Sequence, residues 1–151
     1  MKEFETIEEI LDFAITAEQS AVDFYTKLAK TARNEEIKES FLQFAKEEIS
    51  HKTRLTKIKT ERAYEFEPEK ISDLKIADYQ IPVKPSDDMS YQDVLVLAMK
   101  REKAAYKLYT HLSQIAPNNE LKKTFQALAQ EEAKHKLRFE IEYDDMVMFE
   151  N

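Results

Sequence analysis

Two segments of this sequence, Glu48-Ile49-Ser50-His51 and Glu132-Ala133-Lys134-His135, set a carboxylate three residues before an imidazole. Residues at i and i+3 share one face of a helix, so each segment offers an oxygen and a nitrogen donor to a common ligand. The apolar residues around them say which face that is. Ile37, Phe41, Phe44 and Leu55 fall on the side of Glu48, and Leu121, Phe125, Leu128 and Phe139 on the side of Glu132, so both pairs are expected to point inward. Two more acids share this oddity. On a helical wheel, Ile7, Leu11, Ala14, Ile15, Ala21, Val22 and Tyr25 lie within about 60 degrees of Glu18. Tyr91, Leu95, Ala98, Met99, Ala105, Tyr106 and Tyr109 surround Glu102 in the same way.

Four carboxylates in an apolar core would each cost several kcal/mol, or be forced to protonate, unless a cation compensates them. No Lys or Arg stands at the centre of the faces that carry Glu18 and Glu102, whereas two divalent metal ions would balance four carboxylates. The chain has no cysteine, which excludes disulfides, thiolate zinc sites and iron-sulfur clusters and leaves Glu, Asp and His as ligands. Oxygen and imidazole donors suit iron or manganese.

The elements that must carry these residues follow from an internal duplication. At an offset of 84 residues, Thr6 to Arg54 aligns with Ser90 to Arg138, pairing Glu18 with Glu102, Tyr25 with Tyr109, Phe41 with Phe125 and His51 with His135. Each copy reads as a helical hairpin. Helices are predicted over about 6–31, 35–62, 90–115 and 119–145. They open on Thr6 and Ser90, with Glu9 and Asp93 three residues on, and they turn at Ala32-Arg33-Asn34 and Ala116-Pro117-Asn118, where Asn can cap the next helix. Glu18 lies 15 residues before Arg33 and Glu48 lies 15 after it, and Glu102 and Glu132 bracket Pro117 alike. At the rise of an α-helix, each acid sits about 22 Å from its turn, so the two acids of an antiparallel hairpin meet at one level. Residues 63–89, with Pro68, Pro82 and Pro85, read as a long crossover between hairpins 6–62 and 90–145. The expected architecture is all-α: one domain, 1–151, forming a four-helix bundle with short connections within each pair and one long connection between pairs.

Composition removes other classes of function. The net charge of -7 opposes a phosphate-binding surface, so no nucleic-acid partner is expected. The absence of glycine removes the loops that cradle nucleotide phosphates. Apolar runs are far shorter than the roughly 18 to 20 residues of a membrane span, and the acidic start, Met1-Lys2-Glu3-Phe4-Glu5, is unlike a secretory signal. A cytoplasmic protein without a membrane partner is expected.

From Thr6 to about Tyr143 the residues resemble the ferritin-like di-iron carboxylate proteins, and most closely the rubrerythrins. The Glu-Glu-x-x-His segments at 47–51 and 131–135 carry the resemblance. It implies that Glu18, Glu48, His51, Glu102, Glu132 and His135 ligate two iron ions, with Glu48 and Glu132 bridging them. It implies further that Tyr25 and Tyr109, two turns beyond Glu18 and Glu102, hydrogen-bond a ligand; filling the core is the other reading of these tyrosines. Rubrerythrins usually append a cysteine-bound rubredoxin domain, which a chain without cysteine lacks, so electrons would come from an external donor such as a rubredoxin-type protein. Ala105 stands where that family usually has an additional carboxylate, and Ile49 stands where bacterioferritins have a haem-binding methionine, so haem is not expected. The resemblance implies a homodimer. It makes reduction of hydrogen peroxide the first reading, with dioxygen as the other oxidant and ferritin-like ferroxidase or iron handling as the alternative. Oxygenation of an organic substrate and a purely structural metal site are the remaining rivals. Glu47 and Glu131, about 100 degrees from the core direction, and His111, which has no repeated partner, are placed outside the site.

Overall fold

The protein was analysed as a computed structural model that describes residues 4–61, 65–81 and 88–150. Part of the expected crossover, with Pro82 and Pro85, and the last expected residue of the second helix, 62, lie outside that description. The chain divides into two compact units, one formed by Phe4–Ser72 and the other containing Asp73–Asn151.

The first unit is a helical hairpin of α1 (Ile7–Ala29) and α2 (Glu35–Glu61), which pack along one another. Thr6, extended at φ -133° and ψ 158°, caps α1 by accepting a hydrogen bond from the Glu9 amide at 3.2 Å. Glu8 and Glu9 add negative charge beside the unsatisfied amides of the first turn. Asn34 starts α2 by accepting from the Ile37 amide at 2.9 Å. The α1 stripe Ile10, Leu11, Ala14, Ala21, Tyr25 and Leu28 and the α2 stripe Ile37, Phe41, Ala45, Leu55 and Ile58 are buried. A short α3 (Pro68–Ser72) follows, begun by a proline whose missing N–H costs nothing at a helix start, and buries Ile71.

The second unit begins with a 3-10 turn at Ile76–Asp78 and continues into the hairpin of α4 (Tyr91–Ile115) and α5 (Asn119–Glu150). Ser90 accepts from the Asp93 amide at 3.1 Å, and Asn118 from the Leu121 amide at 2.9 Å, repeating the caps of the first hairpin. Ala116 is extended at φ -60° and ψ 135°, the conformation that the ring of Pro117 imposes on the residue before it. Burial repeats at the sequence offset: Leu11 and Leu95, Ala14 and Ala98, Leu28 and Leu112, Phe41 and Phe125, and Ala45 and Ala129 are buried in both copies.

The expected helices are all present, with ends displaced by one or two residues except at α5, which runs past 145 through Asp145-Met146-Val147-Met148, a stretch with no Gly or Pro to stop it. Tyr106 departs from its expected place in the core. It lies at the edge of the apolar stripe, and it is 44% exposed. Among the described residues no helix is long and apolar enough to cross a membrane.

Candidate metal centre

In the first hairpin, α1 supplies Glu18 and α2 supplies Glu48 and His51, at exposures of 2%, 1% and 0%. The His51 Nδ1 lies 3.2 Å from Glu48 Oε1 and 3.6 Å from Glu18 Oε2. One donor atom from each residue falls within 4.8 Å of the others. The chain arrives there by periodicity alone. Glu18 falls on the apolar stripe of α1, Glu48 and His51 are one turn apart on the stripe of α2, and the hairpin turn brings both levels together.

The second hairpin repeats this arrangement with Glu102 from α4 and Glu132 and His135 from α5, at exposures of 1%, 1% and 2%. The His135 Nδ1 lies 3.7 Å from Glu102 Oε2 and 3.8 Å from Glu132 Oε1. These three residues likewise bring one donor atom each within 4.8 Å of the others.

Each triad therefore gathers two carboxylates and an imidazole at a buried point. The same ring nitrogen, Nδ1, faces the carboxylates in both. In the tautomer with its proton on Nε2 an imidazole presents a lone pair there, and a lone pair directed at carboxylate oxygens repels them unless a metal cation lies between. Two buried negative charges per triad also incur a large desolvation cost that a divalent cation offsets. The donor set, all oxygen and imidazole nitrogen, fits a divalent metal of the iron or manganese kind.

The other residues singled out in the sequence fall as follows. Tyr25 and Tyr109 are buried at 0% and 1% exposure, and the Tyr25 ring stands edge-on to Phe24 and Phe44, with centroids 5.6 and 6.5 Å away. Ala105, Glu47 and Glu131 are half-buried, and Ile49 is exposed.

The structure also shows polar groups that the sequence reading did not single out. Glu142 is 0% exposed and accepts a hydrogen bond from the Tyr91 hydroxyl at 2.9 Å. Its position seven residues after His135, on the same helix face, is a signal that could have found it. Arg101, beside Glu102, is half-buried, and burial pushes its guanidinium below the ordinary value. Tyr79 is buried with its hydroxyl 2.6 Å from His111 Nδ1, a pairing across 32 residues that no local pattern announces.

Comparison with known proteins identifies the family and the fold. The rubrerythrin family profile matches residues 9–143, and the chain belongs to that family. A hypothetical protein from Pyrococcus furiosus is 27% identical, with a TM-score of 0.76 over 95% of this chain and 92% of its own. A provisionally assigned ferritin-like diiron-carboxylate protein from Thermotoga maritima is 23% identical, with a TM-score of 0.80 over 97% of this chain and 99% of its own. No curated protein matches the chain. The fold is thus the all-α, ferritin-like helical bundle expected from the duplicated hairpins.

Proposed function

We propose that the two triads furnish the six protein ligands of one di-iron centre, and that the protein is a cytoplasmic oxidoreductase reducing hydrogen peroxide with electrons from an external donor. The observation that carries this reading is the duplicated triad: two carboxylates and an imidazole, none more than 2% exposed, in each of two hairpins of a rubrerythrin-family chain. When bound, two iron ions supply one electron each, and peroxide with two protons becomes two waters.

The chain's own residues have separable tasks. Glu18, Glu48, Glu102 and Glu132 neutralise the metal charge, and carboxylates can change their mode of coordination as that charge changes. His51 and His135 would hold separate metals, and Nδ1 is the ring nitrogen that each turns toward its carboxylates. Tyr25 and Tyr109, buried two turns from Glu18 and Glu102, are the proposed hydrogen-bond donors to ligand carboxylates. A rubredoxin-type protein suits the role of external donor for a chain with no cysteine of its own, and a homodimer is the proposed assembly.

Ferroxidase or iron handling is the second reading, and the observation that favours it is Ala105, which leaves the ligand set symmetric between the two repeats. Anaerobic loading with ferrous iron, followed by stopped-flow mixing with peroxide and separately with dioxygen, distinguishes the two. Peroxide reduction predicts much the faster oxidation by peroxide with iron held at two per chain. Faster reaction with dioxygen, with ferric iron accumulating beyond two per chain, would establish iron handling instead.

A further inference from the structure

Tyr79 and His111 lie outside both triads and have no equivalent pair in the first hairpin, where Lys27 occupies the position of His111. Tyr79 follows the 3-10 turn and is 4% exposed. Its ring stands edge-on to the imidazole, with centroids 5.8 Å apart at 71°, and its oxygen lies 2.6 Å from Nδ1. Both residues belong to the unit that carries Glu102, Glu132 and His135. Along α4, His111 stands about 14 Å of helix rise beyond Glu102, with buried Tyr109 between them in sequence.

At 2.6 Å the two groups are in hydrogen-bond contact, and the tautomer with its ring proton on Nε2 lets Nδ1 accept from the Tyr79 hydroxyl, the stronger acid of the two. Burial, with the charge of Asp78 adding to it, pushes the Tyr79 phenol up to about 12, so it remains protonated through the physiological range. A protonated phenol gives up an electron readily only when its proton has somewhere to go at the same moment. Here the receiving lone pair is already in hydrogen-bond contact.

We propose that Tyr79 and His111 form a proton-coupled redox pair: a one-electron oxidant removes an electron from the Tyr79 ring while the hydroxyl proton passes to His111 Nδ1. The products are a neutral tyrosyl radical and an imidazolium. When an electron returns, the proton moves back and the starting pair is restored. In the cell the oxidant would be a further peroxide reaching the metal centre after both iron electrons are spent: its reduction to two waters then draws electrons from outside the irons, one of them from Tyr79. That assignment of the oxidant rests on the di-iron reading, whereas the chemistry of the pair does not.

The test uses the full chain loaded with zinc, which takes oxygen and imidazole ligands but undergoes no redox change. Tyr106→Phe removes an exposed competing phenol. Photogenerated tris(bipyridine)ruthenium(III) serves as oxidant, and transient absorption and electron paramagnetic resonance follow the radical. The expected result is a neutral tyrosyl radical that forms more slowly in D2O and is lost in Tyr79→Phe. His111→Gln should slow its formation by about tenfold, the rate equivalent of one hydrogen bond of ordinary strength. If the pair only fastens the crossover to α4, a folded His111→Gln forms the radical at the wild-type rate, and that outcome overturns the proposal, as does an unchanged radical yield in Tyr79→Phe. In a second arm, ferrous protein is mixed with excess peroxide and freeze-quenched. A Tyr79 radical in the zinc protein but none in the iron protein would overturn the link to the centre. Zinc and iron both binding below two per chain would strike at the di-iron reading, with the radical assay still deciding the pair.

Discussion

Glu48 and Glu132 each share a buried helix face with a histidine one turn on, and each faces a second carboxylate from the neighbouring helix. Removing one of these acids deletes one of the two oxygen-donating side chains of its triad. Glu48→Ala and Glu132→Ala are therefore expected to bind fewer than two metal ions per chain, measured by metal analysis after anaerobic loading and desalting; unchanged stoichiometry would contradict their roles. Tyr91 and Glu142 pose a different question, because the first hairpin has Ile7 and Ile58 at those positions. A bonded polar pair stands where the first repeat has two apolar residues. Tyr91→Phe should destabilise the protein by about 1–3 kcal/mol, since a buried carboxylate loses a donor. The double change to Tyr91→Ile and Glu142→Ile, which restores the residues of the first repeat, should cost less than the sum of the single changes in a denaturation cycle.

At the scale of the helix, packing outweighs capping, and capping outweighs surface charge. Phe41 and Phe125 are 0% exposed at equivalent positions of α2 and α5. Truncating either to Ala should cost about 3–5 kcal/mol, the range for emptying a large aromatic site. Asn34→Ala or Asn118→Ala removes one side-chain bond to a first-turn amide, and each should cost about 1 kcal/mol. Urea unfolding checks both, as a lower midpoint at an unchanged slope. The exposed Lys57–Glu61 pair, at 3.9 Å, should contribute nothing measurable. This ordering explains why the duplication is so visible in the sequence. Core positions and caps recur at the offset of 84, while solvent-facing positions such as Ile49 and Ala133 differ freely.

For the whole molecule, the proposed metal binding at the buried triads is expected to couple to stability. Six ionisable side chains held at 2% exposure or less oppose folding when no cation balances them. Ligands that bind only the folded state stabilise it by about 2.7 kcal/mol at a hundredfold excess over their dissociation constant. Anaerobic ferrous or manganous ions should accordingly raise the melting temperature and chelation should lower it. The effect should vanish in a chain carrying both Glu48→Ala and Glu132→Ala, and calorimetry in the two states measures it. A metal response that persists in that variant would place the binding elsewhere on this acidic chain of net charge -7.

The helices, their caps and both triads were legible in the sequence because they depend on short-range geometry. A 3.6-residue period turns Glu48 and His51 to one face, and equal distances from a turn bring Glu18 level with Glu48. The repeat then supplied a second, independent copy of each inference. What lay beyond reach involves partners far apart in the chain: Tyr79 with His111 across 32 residues and Tyr91 with Glu142 across 51. Nothing in the spacing of residues 63–89 states where Tyr79 comes to rest, and Tyr106 is exposed although its wheel position suggested the core. Local covalent geometry decides which side of a helix a residue occupies, whereas the depth of a stripe's edge, the seat of a crossover and the pairing of distant polar groups are decided by how the elements pack.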